Sequence, residues 1–125
     1  MHELSIIYPI IQISDKIARE NKVEHITAVR LLVGELHDMN EQWVDQYFQR
    51  FSKGTTLEGS RLEIRRVPIL FRCKLCGAEQ SYTYFSFAGV DLKCNSCGAE
   101  AENLEMLSGR EMQIEEIEFI DPEKI

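Results

Sequence analysis

Two groups of residues in this chain have the types and spacing to hold a metal ion. The first is Met1-His2-Glu3. A histidine in second place offers three nitrogen donors: the α-amine of Met1, the backbone amide of His2 and its imidazole. Ni(II) or Cu(II) draws such donors into a square plane, because the amide gives up its proton to these ions. Glu3 supplies a fourth donor through its amide or its carboxylate. The bulk of His2 is expected to keep Met1 in place. The competing reading is a solvated histidine at a frayed end, which the tripeptide alone favours; the rest of the chain shifts the balance.

The second group is Cys73-Lys74-Leu75-Cys76-Gly77 with Cys94-Asn95-Ser96-Cys97-Gly98. A two-residue gap lets the backbone curl so that both sulfurs face one point. The following glycine permits the tight turn, and amides in that turn can reach the thiolates. The separation of the pairs falls in the range of roughly 15–20 residues typical of four-cysteine zinc sites. Such a site is closed to further ligands, so it is expected to be structural. Its binding energy would fold a segment too small to bury a core alone. Arg72, Lys74 and Lys93 lie beside the ligands and can offset the charge of four thiolates. The same knuckles hold iron in rubredoxin-like electron carriers, and spacing does not separate the two metals.

The elements that must position these groups follow from hydrophobic period. Leu4 to about Asn21 reads as an amphipathic helix. Its apolar stripes are Ile6-Ile10-Ile13-Ile17 and Ile7-Ile10-Ile11-Ala18, and Ser5 is a candidate N-cap. His25–Gly34 reads as a central, mostly buried strand. The turn Gly34–Asn40 holds Glu35, His37, Asp38 and Asn40. These are candidate ligands, although Asp38 or Asn40 can equally cap the next helix. Glu41–Phe51 is a second amphipathic helix with Val44, Tyr47, Phe48 and Phe51 on one face, Trp43 assigned to the core, and a stop at Lys53-Gly54. Alternation over Arg61–Arg65 slips at Arg65-Arg66, and alternation from Glu111 slips at Glu115-Glu116. The matching slips suggest antiparallel neighbours, with the cysteine segment inserted between them.

Composition narrows the function. The chain has 125 residues and a net charge of -7. That size suits one domain with a small appendage. The acidic balance offers no field for a phosphate backbone, so nucleic acid is not an expected partner. No apolar run reaches membrane-spanning length, and no signal peptide is read, so a cytoplasmic location is expected. There is no Gly-rich phosphate loop, and neither His25 nor His37 forms a recognisable nucleophile–base pair. An enzyme is not expected. A zinc-ribbon interaction module without a nickel role is the alternative.

Met1-His2-Glu3-Leu4-Ser5, Val33-Gly34-Glu35-Leu36, Gly54-Thr55, the two knuckles and Ser108-Gly109-Arg110-Glu111 occur in this order along the whole chain. Together they resemble the HypA/HybF family, nickel metallochaperones of [NiFe]-hydrogenase maturation. The resemblance implies an α+β fold, with two helices packed on a sheet of about three strands and an inserted zinc ribbon. It places a nickel domain over residues 1–70 plus 108–125 and the ribbon over 71–107. His2 matches the nickel ligand, with Met1 and Glu3 beside it. Cys73, Cys76, Cys94 and Cys97 match the zinc ligands. The carboxylate that approaches nickel in some members corresponds to Asn40 here, with Asp38 two residues earlier. Implied partners are a maturation GTPase and the hydrogenase large subunit. Self-association by strand exchange through the insertion is left open.

Overall fold

The computed structural model describes residues 3–120, Glu3 by its backbone alone. The order is α1 (Glu3–Glu20), β1 (Ile26–Gly34), α2 (Glu41–Phe51), β2 (Arg61–Val67), β3 (Ile69–Cys73), β4 (Glu79–Tyr82), α3 (Tyr84–Phe87), β5 (Leu104–Ser108) and β6 (Met112–Phe119). The fold is α+β, with two three-stranded sheets ordered β2-β1-β6 and β4-β3-β5. The chain divides into two compact units. One comprises the residues up to Leu31, Met39–Arg65 and those from Gln113 on; the other comprises Leu32–Asp38 and Arg66–Met112. No helix of the described residues is long and apolar enough to cross a membrane.

In the first unit α1 buries Ile6, Ile7, Ile10, Ile11 and Ala18, while Ile13 and Ile17 of the other expected stripe are exposed. Only one of the two apolar arcs can face α2, against which α1 packs. Ser5 does not cap α1, because the helix is already under way at Glu3. The helix ends where Val23 N–H donates to Ala18 carbonyl at 2.8 Å and Lys22 adopts a left-handed φ of 59°. Those are the marks of a Schellman stop, with lysine where glycine is usual. Asp15 then ties α1 to the loop before β2, its Oδ1 accepting from Thr56 N–H at 2.9 Å and Thr56 Oγ1 at 2.7 Å.

Helix α2 starts at Asn40, whose Oδ1 accepts from Trp43 N–H at 3.1 Å. Val44 and Phe48 are fully buried. Trp43 is 52% exposed, contrary to its expected place in the core. It lines up instead with Tyr47 and Phe51 in a row of rings with centroids 6.0 and 6.2 Å apart.

The two strands with phase slips share a sheet but are not neighbours, since β1 lies between them. The physical link is Arg30 of β1, which pairs with Glu63 of β2 at 2.9 Å and with Glu116 of β6. Arg65 reaches Glu115 at 3.2 Å, so Glu115 and Glu116, side by side in β6, each meet an arginine. In β2 the slip at Arg65-Arg66 lies inside the strand, close to its end. The strand stops at Val67, and after Pro68 the chain enters the other sheet as β3.

The second unit has its own small core. Ile69, Phe71, Cys73, Cys94 and Leu104 are buried there, with Leu36, Tyr82, Phe87 and Met106 packed against them. Phe71, Tyr82 and Phe87 form a ring cluster with centroids 5.5–6.2 Å apart. Gly34 sits so close to Gly109 that an added Cβ would lie 2.0 Å from its carbonyl oxygen. Arg66 fastens this turn, donating to His37 carbonyl at 2.7 Å and Gly34 carbonyl at 3.2 Å and pairing with Glu35 at 3.3 Å.

Candidate metal centre

The sequence around each cysteine pair runs Cys-x-x-Cys-Gly-Ala-Glu, and the two copies fold alike. Cys73 N–H donates to Ala78 carbonyl and Gly77 N–H to Cys73 carbonyl, each at 2.9 Å. Cys94 N–H to Ala99 and Gly98 N–H to Cys94 repeat both bonds at 2.9 Å. Gly77 and Gly98 have φ of 78° and 77°, the left-handed turn that glycine makes without strain. The cation before each first cysteine pairs with the glutamate that ends each copy: Arg72 with Glu79 at 3.6 Å and Lys93 with Glu100 at 3.8 Å. These two cations were expected to balance the sulfurs, yet each already has a carboxylate partner.

The β4-β3-β5 sheet carries the first knuckle on the end of β3. The second is strapped to β4 by Gln80, a residue that no spacing pattern singles out. Its Oε1 accepts from Asn95 N–H at 2.9 Å, and its Nε2 donates to Lys93 carbonyl at 2.9 Å.

The four Sγ atoms lie within 4.8 Å of one another. Cys73 and Cys97 are 3.7 Å apart, Cys76 and Cys94 3.5 Å. A tetrahedron with metal–sulfur bonds of about 2.3 Å has edges of about 3.8 Å, so the set fits one four-coordinate ion. Cys73 and Cys94 are buried, while Cys76 and Cys97 face outward.

Ionisation of the sulfurs points the same way. Backbone N–H groups of Cys97 and Ser96 hold the Cys94 thiol down at about 6, against the opposing effect of burial. Those of Cys76 and Leu75 lower Cys73 similarly. Cys97 receives a hydrogen bond from Ala99 N–H that favours its thiolate. Desolvation and the sulfurs of Cys94, Cys76 and Cys73 outweigh it and push Cys97 up to about 12. Four thiols this close cannot all ionise unless a cation sits among them. The arrangement is a four-cysteine metal-binding cluster with its thiolate donors partly prepared.

Met1, His2 and the side chain of Glu3 lie outside the described residues, so the expected nickel claw has no geometry to compare. Of the donors in the turn before α2, Glu35 is engaged by Arg66 and accepts from Tyr84 N–H at 3.3 Å. His37 Nε2 lies 3.1 Å from Arg110 carbonyl, to which it donates. Asn40 caps α2, and Asp38 is exposed. Among the described residues, Glu35, His37 and Asp38 fall in no group of three or more His, Cys, Asp or Glu side chains that could hold a metal. Sequence spacing had no means of exposing the Arg66 clamp, because apart from Glu35 its acceptors are backbone carbonyls, which any residue type supplies.

A family model described as HypA, hydrogenase/urease nickel incorporation, metallochaperone, matches residues 1–119. A hydrogenase maturation factor HypA of Nostoc sp. is 36% identical over 118 residues, covering 94% of this chain and 95% of the relative. That of Wolinella succinogenes is 32% identical over 120 residues, covering 95% of each. The solution structure of the Ni metallochaperone HypA from Helicobacter pylori has the same fold, with a TM-score of 0.60 at 21% identity over 96% of this chain and 98% of that one. A second solution structure of a HypA protein gives a TM-score of 0.65 at 22% identity, covering 96% and 97%. With a matched model over residues 1–119 and relatives above 30% identity along nearly their whole length, the chain belongs to the HypA family of hydrogenase/urease nickel-incorporation metallochaperones.

Proposed function

We propose that this chain takes up Ni(II) through the amine of Met1, the amide and imidazole of His2 and a donor of Glu3. It then hands the ion to the large subunit of a [NiFe]-hydrogenase, together with a maturation GTPase and without catalysing a reaction itself. The observation that carries this reading is that the family model for nickel incorporation extends to residue 1 and so takes in Met1-His2-Glu3. The first unit then serves as the nickel domain. Zn(II), held by Cys73, Cys76, Cys94 and Cys97, shapes the ribbon. The working compartment is the cytoplasm.

The chemistry suits a carrier. Ni(II) accepts a plane of nitrogens where Zn(II) prefers a tetrahedron, so geometry separates the two metals. Release takes up protons, one at the imidazole, whose ordinary pKa is about 6.5, and one at the His2 amide nitrogen. Nickel affinity is therefore expected to fall as pH drops through that value. Isothermal calorimetry with Ni(II) on the protein without a tag, on His2→Ala and on a form extended before Met1 tests the assignment. Nickel binding lost in both altered forms, with zinc retained, supports it; undiminished binding in both removes it. Equal affinity at neutral and mildly acid pH would remove the proposed release step.

A further inference from the structure

β6 is one of the two outer strands of the β2-β1-β6 sheet. Eight residues long, it contains neither proline nor lysine, the usual protections of an open edge. Among the described residues, no backbone group of Gln113–Phe119 is bonded to a loop or a side chain outside the sheet. The strand carries only acidic charge: Glu115, Glu116 and Glu118. Their side chains remain 33%, 49% and 45% exposed although each meets an arginine. Phe119 and Ile120 at its end are 52% and 45% exposed.

We infer that the outer edge of β6, open among the described residues, accepts an extended, lysine- or arginine-bearing segment of a partner protein as a fourth strand. Main-chain bonds would supply affinity and alternate side chains selectivity, the usual logic of strand addition. The sheet itself displays the pairing on its inner side, where Arg30 of β1 meets Glu116. A basic strand on the outer side would meet the exposed flank of the same carboxylates. A second copy of this strand would set glutamates against glutamates, so the edge disfavours its own kind while inviting the opposite charge. The net charge of -7 adds to the attraction. This inference goes beyond nickel handling and does not depend on it.

The test uses the full zinc-loaded protein and three labelled octapeptides followed by fluorescence anisotropy. One alternates lysine and valine, one alternates glutamate and valine, and the third is the lysine peptide with every amide methylated. The lysine peptide should bind at least tenfold more tightly than the other two, and amide exchange at 113–119 should slow in the complex. Glu118→Lys and Glu115→Lys, each checked for zinc content and circular dichroism, should each weaken binding about tenfold. Equal binding of the methylated copy would reduce the effect to loose electrostatics and overturn the proposal. Absence of binding, or protection elsewhere than β6, would do the same. Self-association through β6 without peptide would make a second copy the occupant and refute the stated partner.

Discussion

Gly34→Ala adds one methyl group where the second unit has no room. The new Cβ would stand 2.0 Å from Gly109 O, 2.1 Å from Gly109 C and 2.6 Å from Arg110 N, whereas Cβ atoms almost never come within 3.0 Å of another heavy atom. All three obstacles are backbone, so no side chain can swing aside, and the turn must move by about 1 Å. That shift breaks the bonds that the close approach makes: Gly34 N–H to Glu111 carbonyl at 2.7 Å and Leu36 N–H to Gly109 carbonyl at 3.0 Å. It also displaces Gly34 carbonyl from Arg66. Two backbone bonds at about 1 kcal/mol each, with overpacking of about 1–3 kcal/mol, put the loss at about 3–5 kcal/mol. Urea unfolding of the zinc-loaded protein, followed by circular dichroism and by zinc release to an indicator, measures it. Zinc should leave at a markedly lower urea concentration in the variant. A loss under 1 kcal/mol would show that the two glycines are not held at the described distance.

Cys94→Ser, or a strong chelator applied to the native chain, should abolish zinc binding and broaden the amide spectrum of 66–112, while α1 and α2 keep their helical signal; retention of one zinc per chain would contradict the cluster. Asp15 should carry part of the acid sensitivity: burial raises its pKa, but the two bonds from Thr56 and the Arg19 cation outweigh that and leave it below 3.8. Its contribution is thus complete above pH 3.8 and disappears as pH falls through the depressed value, so Asp15→Asn should flatten the acid limb of a stability–pH curve, and an unchanged limb would argue against the tie. Lys22→Gly should raise stability by about 0.5–1 kcal/mol in thermal unfolding, because glycine adopts the left-handed stop without strain; destabilisation would mean that the lysine side chain matters more than its backbone. Arg66→Met should cost about 1–3 kcal/mol by taking the Arg66 donor from His37 carbonyl and the cation from Glu35, while Gly34 carbonyl keeps His37 N–H; a negligible change would show the clamp dispensable.

What could be read from residue order was what depends on local chemistry. Helix α2 was legible because Asn40, the Val44–Phe48 spacing and Lys53-Gly54 agree on one element. The cysteine cluster was legible because a two-residue gap and a glycine nearly dictate a knuckle. Strand adjacency was not, since matching slips in β2 and β6 do not make the two strands neighbours, and β1 lies between them. Arg30, a lone cation in an otherwise apolar strand, was the available sign that carboxylates flank β1 on both sides. Trp43 was misplaced because helical period marks an apolar arc without marking its edge. Gln80 holds the second knuckle, and Arg66 the turn after β1, largely through backbone partners, which leave no trace in composition.

The central claim is capture of nickel at the first residues, and absorption spectroscopy of the untagged, zinc-loaded protein titrated with Ni(II) addresses it most directly. A diamagnetic, square-planar nickel spectrum that saturates at one ion per chain and vanishes in His2→Ala is the predicted result. A six-coordinate spectrum, or the same planar spectrum in His2→Ala, would contradict it.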